Sequence, residues 1–316
     1  MQRSARGERR LGGLPLRHRG RHGTSRISSV LAVLLALTVM GTVPPSPAAG
    51  QSRSSSDWAL PADISPPVSK ARRDRERPWA DRCIGLAPAT VPRNCVYGNP
   101  NGSFSLALVG DSHISHFFPA FERIAKERGW RLVVMLKIGC PFVDMPIRYP
   151  VENRHYHECA TWNDNVVARL AKSPPDLTVV GYSHWIYPIK PVHRTTAAKA
   201  ASAARMLQRL PGKRVLLADS LVSSVDVPVC LAANKADIRR CATPRKRAYR
   251  GHAAIESRAA RQAGVPMIDI ADRICRTDPC PAVVNKMIVY RDTHHLTATF
   301  TRTLWPDLAS LLDKHL

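Results

Sequence analysis

An α/β domain with a mainly parallel sheet, covered by helices on both faces, is the fold class this chain predicts, and three observations carry it. From about Ser103 onward, strand-like and helix-like segments alternate. The strand-like segments are short continuous apolar runs, which is how strands buried on both faces read. Glycines and prolines punctuate the joins between segments. Residues 103–110, SFSLALVG, form the first strand. The amphipathic stretch HFFPAFERIAKERG follows and stops at Gly129, a residue type that readily closes helices. RLVVML (131–136) is the second strand, and a helix is expected over 162–172 after a loop. PDLTVVG (175–181) is a third strand entered by prolines, and TTAAKAASAARMLQRL (195–210) a helix stopped by Pro211-Gly212. KRVLLAD (213–219) is the fourth strand. A basic helix over about 245–263 leads to the short fifth strand VPMIDI (265–270), and the last helix spans about 297–312. No internal repeat is evident.

Ahead of this domain the composition changes twice. Residues 1–26 hold eight arginines against one acid, Glu8, and residues 27–43 are an apolar run that exits into PPSPAAGQS. A basic start, a short apolar run and a small-residue exit make a secretory signal, so 1–49 is read as a signal peptide with Ser46-Pro47-Ala48 as the cleavage site. The run nearly reaches the roughly 17 residues that span a bilayer, so an uncleaved signal anchor, tethering the protein to the membrane, is the alternative. Either way the protein is expected outside the cytoplasm, secreted or anchored at the outer face of the cytoplasmic membrane. Residues 50–102 read as a linker with a Cys83–Cys95 loop, because 51–82 is rich in Ser, Pro, Arg and Asp and lacks the periodicity of packed elements. Residues 103–316 are the expected catalytic domain.

Composition narrows the class further. At 44% hydrophobic and 22% charged, the chain can bury a core and is not wholly disordered. A single apolar run excludes a multi-span protein. The formal charge is 47 − 24 = +23, of which the leader holds 8 − 1 = +7, leaving +16 along the rest. Strong basicity raises nucleic-acid binding, but no zinc-finger spacing, RNP aromatic pattern or continuous basic helix accompanies it. No nucleic-acid partner is therefore expected. Lipid headgroups or acidic surface polymers are the anions such a protein meets outside the membrane; a merely solvated basic surface is the equally weighted alternative.

In parallel α/β sheets the chemistry lies outside the carboxyl ends of the strands. After the first strand comes Gly110-Asp111-Ser112-His113, after the second Gly139-Cys140-Pro141, and after the third Gly181-Tyr182-Ser183-His184-Trp185. Past the fifth lies Asp292-Thr293-His294-His295-Leu296. Ser112 stands where a strand turns into a helix, with backbone N–H groups and a positive dipole end beside it. A serine needs a base to become a nucleophile. His295 can take the proton, and Asp292, three residues earlier, can orient the imidazole. A bland alternative is that Asp111 or Ser112 only caps the following helix.

These residues resemble the SGNH (GDSL-type) hydrolase superfamily, and most closely the SGNH domain fused to family-three membrane acyltransferases, which modify bacterial surface glycans. The phrases LALVGDSHISHFFPAFERIAKERGWRLVVMLKIGCPF and YRDTHHLTATFTRTLWPDL carry the likeness, which covers about 105–316. It implies a flavodoxin-like three-layer α/β/α sandwich, with Ser112 as nucleophile, Asp292 and His295 as orienter and base, and the N–H of Gly139 as an oxyanion donor beside that of Ser112. Most members place an asparagine after the third strand to hydrogen-bond the oxyanion; here Ser183 occupies that place. A serine hydroxyl can donate too, but losing a donor costs roughly 100- to 1000-fold in turnover.

Eight cysteines in an exported domain read as disulfides. Proximity suggests Cys83–Cys95, Cys140–Cys159, Cys230–Cys241 and Cys275–Cys280, although 105 pairings exist. His113-x-x-His116, His155-x-His157 and His294-His295 are the metal candidates; without an H-E-x-x-H helix or converging carboxylates, neither metal nor cofactor is expected. His116 and His157 read as surface or groove residues. Trp185 and Tyr187, near Ser183, form a wall for a sugar ring or acyl chain, or simply pack. The expected activity is O-acetyl transfer from an acyl-Ser112 to a surface or cell-wall glycan, with a separate membrane acyltransferase supplying the acyl group. A carbohydrate esterase with the same triad, or a non-catalytic glycan-binding protein, are the alternatives.

Overall fold

Residues 58–149 and 151–316 are described in the computed structural model; the expected signal segment lies outside them. Within this range seven strands make one sheet. They are β1 (Ile84–Gly85), β2 (Cys95–Gly98), β3 (Ser105–Gly110), β4 (Arg131–Lys137), β5 (Leu177–Gly181), β6 (Lys213–Leu217) and β7 (Met267–Ile268). The order is β1-β4-β3-β5-β6-β7, and neighbours run parallel. β2 lies antiparallel along β4, on the edge it shares with β1.

Alternation along each strand sorts side chains to two helical layers. Leu106 and Leu108 of β3 face α1 (Phe118–Arg128) and α5 (Trp305–Asp313). Ala107 and Val109 face α2 (His157–Lys172), α3 (Thr196–Arg209) and α4 (Ala254–Ala263). The result is the expected three-layer α/β/α arrangement. From β3 the chain crosses to β4 on one side and then returns to β5 on the other. The carboxyl end of β3 is thus a topological switch point, where such sheets open a crevice.

Glycine is required there. Gly110 has φ 141°, and a Cβ on it would meet the Gly181 carbonyl oxygen at 1.7 Å. Two glycines in register let β3 and β5 end side by side.

Several boundaries differ from expectation. The stretch read as a linker is folded from Trp58 on: Ala71 and Glu76 are buried, and β1 and β2 extend the main sheet. Its apolar anchors, among them Leu60, Ile64, Val68, Ala71, Trp79, Ile84 and Tyr97, are irregularly spaced, and backbone bonds add to them. Ser65 N–H donates to Lys286 O at 2.8 Å, and Ala298 N–H to Asp74 O at 3.1 Å. That irregular spacing leaves no hydrophobic period to read. The helix expected over 245–263 breaks into Arg245–Ala248 and α4, with Gly251 at φ 77° between them. The last helix splits into Ala298–Arg302 and α5, whose first turn holds Pro306, which lacks the N–H needed to continue a helix. α2 starts at His157, five residues before the expected start at Trp162. All eight cysteines are bridged in the four expected pairs.

Candidate active site

β3 runs straight into a helical turn, Ser112–Ser115, whose cap Asp111 accepts the His113 N–H at 2.9 Å. Because Asp111 does the capping, the Ser112 hydroxyl is available for other partners. His295 Nε2 lies 2.9 Å from Ser112 Oγ, and His295 Nδ1 lies 2.8 Å from Asp292 Oδ2. The other Asp292 oxygen accepts the His294 and His295 N–H groups at 2.8 and 2.7 Å. The carboxylate is therefore fixed by its own loop before it orients the ring.

Burial pushes His295 below its ordinary 6.5, against the opposing pull of Asp292, so the ring is neutral at physiological pH. Burial also drives Asp292 upward, but its hydrogen bond to His295 and two backbone N–H groups prevail. Its carboxyl sits well below 3.8. A neutral imidazole between a hydroxyl and a carboxylate can take the serine proton, and the imidazolium so formed faces a stabilising charge.

Two residues past β4, Gly139 adopts φ 62°, and its N–H has no partner among the described residues. A Cβ there would approach Tyr149 no closer than 3.9 Å, so the dihedral, not space, calls for glycine. The Cys140–Cys159 bridge and the Tyr156 hydroxyl, which donates to Ile138 O at 3.1 Å, hold this loop. Past β5, the Ser183 N–H donates to the Asp111 carboxylate at 3.0 Å, and Ser183 Oγ accepts from Trp185 N–H at 3.2 Å. The Ser183 hydroxyl proton stays free to donate. Ser112, Gly139, Ser183, Trp185, Tyr187 and His294 line one cleft of about 210 Å³. Trp185 and Tyr187 are 38% and 49% exposed, so they are wall rather than core.

All seven residues expected at the site thus converge. His116 does not fit its expected surface or groove setting. It is 1% exposed, packs edge-on to Phe117 at 4.5 Å, and neither ring nitrogen has a partner. Burial drives its pKa well down, leaving a neutral core imidazole. His157 is exposed, as expected.

One constellation escaped the sequence reading. Asp219, just past β6, lies 2.5 Å from His113 Nδ1 and 2.6 Å from His184 Nδ1, and also accepts the N–H groups of His184 and Ser220. Burial would raise this carboxyl, but the two imidazoles outweigh it and hold it well below 3.8. His113 moves upward in spite of burial, because Asp219 faces it. The available signal was an acid closing an apolar strand at the edge where the other site residues were sought. His113, His294 and His295 also place ligand nitrogens within 4.8 Å of one another. With Asp219 and Asp292 behind two of the rings, this set suits a divalent transition metal. His295 Nε2 would have to leave Ser112 to bind it, so metal and serine compete for one nitrogen. Burial lowers the pKa of His294 to about 3, so it too is neutral.

A larger cleft, about 710 Å³, lies between residues 60–73 and 228–235. No histidine or acid lines it, so the chemistry argues for the smaller one.

A family model described as the SGNH domain (fused to AT3 domains) matches residues 80–310, well over half of the chain. Among solved structures, the periplasmic domain of the lipopolysaccharide acetyltransferase of Salmonella ser. Paratyphi A is similar. Its TM-score is 0.58 at 11% identity, over 79% of this chain and 98% of that one. At that identity the likeness speaks for the fold alone. No curated protein matches the chain.

Proposed function

Since this chain belongs to the family of SGNH domains fused to AT3 domains, we propose that it is an exported serine O-acyltransferase acting on a cell-surface or cell-wall glycan. The observation that carries the reading is the continuous contact from Ser112 through His295 to Asp292, at 2.9 and 2.8 Å. His295 removes the Ser112 proton as Oγ attacks an ester carbonyl. The oxyanion that forms is met by the N–H groups of Ser112 and Gly139, with the Ser183 hydroxyl in the place of the usual asparagine. The tetrahedral intermediate collapses to acyl-Ser112, and His295 returns the proton to the departing oxygen. A sugar hydroxyl, deprotonated in turn by His295, then attacks the acyl carbonyl; the bond to Ser112 Oγ breaks, and His295 returns the proton to that oxygen.

Four disulfides support a location outside the reducing cytoplasm. No helix among the described residues is long and apolar enough to cross a membrane. A separate membrane acyltransferase, of the kind to which such domains are fused, would supply the acyl group. Hydrolysis of glycan esters shares every step up to the last.

The test is incubation of the purified protein with a generic acetyl ester, followed by mass spectrometry of the Ser112 peptide. An acetyl group on Ser112 is expected, and Ser112→Ala and His295→Ala should each abolish ester turnover with the fold intact. Undiminished turnover in Ser112→Ala would end the serine mechanism.

A further inference from the structure

We infer that the acceptor glycan is anionic, and that a second cleft beside the serine holds its carboxylate or phosphate group. This rests on the acyl-transfer reading above and names the acceptor class. A cleft of about 480 Å³ shares Arg148, Trp185 and Tyr187 with the serine cleft, so a ligand entering one passes along the same aromatic wall into the other. Arg194 and Lys199 line it as well, and neither lines the serine cleft.

The cations are the reason to expect an anion. Elsewhere arginines commonly sit against acids, as Arg205 on Asp144 at 2.7 Å and Arg154 between Glu152 and Glu158 do. In this cleft the Arg148 side chain donates only to Asn153, at 2.9 and 3.0 Å, and neither Arg194 nor Lys199 has a side-chain partner among the described residues. Three charges without counter-charges focus a positive field between low-dielectric walls. Lys199 is half-buried, and burial lowers its pKa, the mark of a charge partly stripped of water with no counter-charge bonded to it among the described residues. α3 and α4 add to this, since Thr196 and Ala254 at their first positions line the cleft. Their N-termini point the positive ends of two dipoles the same way, and the α4 cap residue, Ala253, offers no side-chain acceptor.

The wall argues that the anion is carried on a sugar. Trp185 and Tyr187 offer exposed aromatic surface of the kind on which a pyranose ring lies, and both line the cleft of the cations and the cleft of Ser112. A small free anion would need the charges and no wall. The acyl group needs only the serine cleft, which leaves the larger space to the acceptor.

The test uses the full-length Ser112→Ala protein, so that bound acceptor is not consumed. Three matched oligosaccharides are titrated at low and high salt: one bearing a uronate, its carboxyl-reduced neutral form, and one bearing a phosphate. Charged sugars should bind at least about tenfold tighter than the neutral one, as charge-assisted contacts imply, and lose that advantage at high salt. Whichever charged form binds tighter identifies the source of the anion. Arg194→Gln combined with Lys199→Gln, which leaves Arg148 in place, should cut the charged sugars' advantage at least severalfold without lowering the unfolding temperature. Exposed Arg302→Gln, on a helix packed against α1 in the opposite layer, should leave the preference intact. Equal affinity for all three sugars, or a preference undiminished by the double variant, would overturn the inference. Acetyl labelling of wild-type Ser112 without glycan reports separately on the serine chemistry. A charge preference without label would remove acyl transfer and leave the anion-binding cleft standing.

Discussion

His295 illustrates how much of the site's chemistry is decided at a single side chain. Its ring must be neutral to accept the Ser112 proton, and burial lowers its pKa below 6.5 while Asp292 pulls the other way. A base with a depressed pKa stays active to lower pH, so the acid limb of Ser112 acylation should have its midpoint below 6.5. Asp292→Asn removes the upward pull, so the limb should move further acid while the rate falls, because the imidazole loses the partner that fixes its tautomer. A limb at or above 6.5 in the wild type would contradict the buried-base assignment. Asp219 makes a second prediction. It is flanked by two imidazoles, and removing one partner of a buried ionic pair costs roughly 3–5 kcal/mol. Asp219→Ala should therefore lower the denaturant midpoint strongly, whereas a loss under about 1 kcal/mol, the level of an exposed pair, would mean the cluster is not coupled. The sign with pH follows from direction. Both Asp219 and Asp292 are held below 3.8 in the folded state, so the stability they add is present above that value and fades as pH falls below it.

The loop from Gly139 to Cys159 shows the same coupling one level up, where an element rather than a residue sets the geometry. Cys140–Cys159 closes nineteen positions of chain directly beside the Gly139 N–H. Bridging a loop of that size is worth roughly 3 kcal/mol. Replacing both cysteines by alanine should lower stability by about that amount and slow acylation more than it weakens ester binding. Thermal unfolding and single-turnover acetylation measure the two effects; full-speed acylation in the variant would show that the bridge does not position the donor. Legibility follows the same division. β3, β4, β5 and β6 were readable because they are buried on both faces and therefore continuously apolar. Ser112, Gly139, Ser183, Asp292 and His295 were readable because strand ends and a short Asp-x-x-His loop locate them. β1 and β2 were not, since strands of two and four residues are too brief to show a side-chain period, even with Ile84 and Tyr97 buried. Asp219 was hidden for a different cause: its partners, His113 and His184, are 106 and 35 positions away in sequence. Spacing along the chain cannot report that meeting.

At the scale of the whole molecule, the question is what decides between sugar and water once Ser112 carries an acyl group. The triad cannot decide it, because both outcomes use the same intermediate and the same base. Water stands at roughly 55 M, so transfer wins only where the acceptor is held at high effective concentration and solvent is kept from the carbonyl. Two joined clefts give that arrangement a physical form: a narrow one around Ser112, about 210 Å³, and a wider one of about 480 Å³, with Trp185 and Tyr187 along both. Strand ends from β3, β4 and β5, a loop near the C-terminus and the N-terminal ends of α3 and α4 all contribute to them, so the partition is a property of the assembled domain. A glycan seated against Trp185 would shield the acyl carbonyl and present its hydroxyl to His295. Adding such a glycan should therefore divert acetyl from free acetate to acetylated sugar. Trp185→Ala should shift the ratio back toward acetate while acyl-Ser112 still forms, since the indole touches neither Ser112 nor His295 among the described hydrogen bonds. The measurement is the ratio of acetylated sugar to acetate, with and without acceptor. If that ratio stays at zero across cell-wall oligosaccharides, charged ones included, while acetate is released quickly, water is the natural acceptor and the protein is a deacetylase.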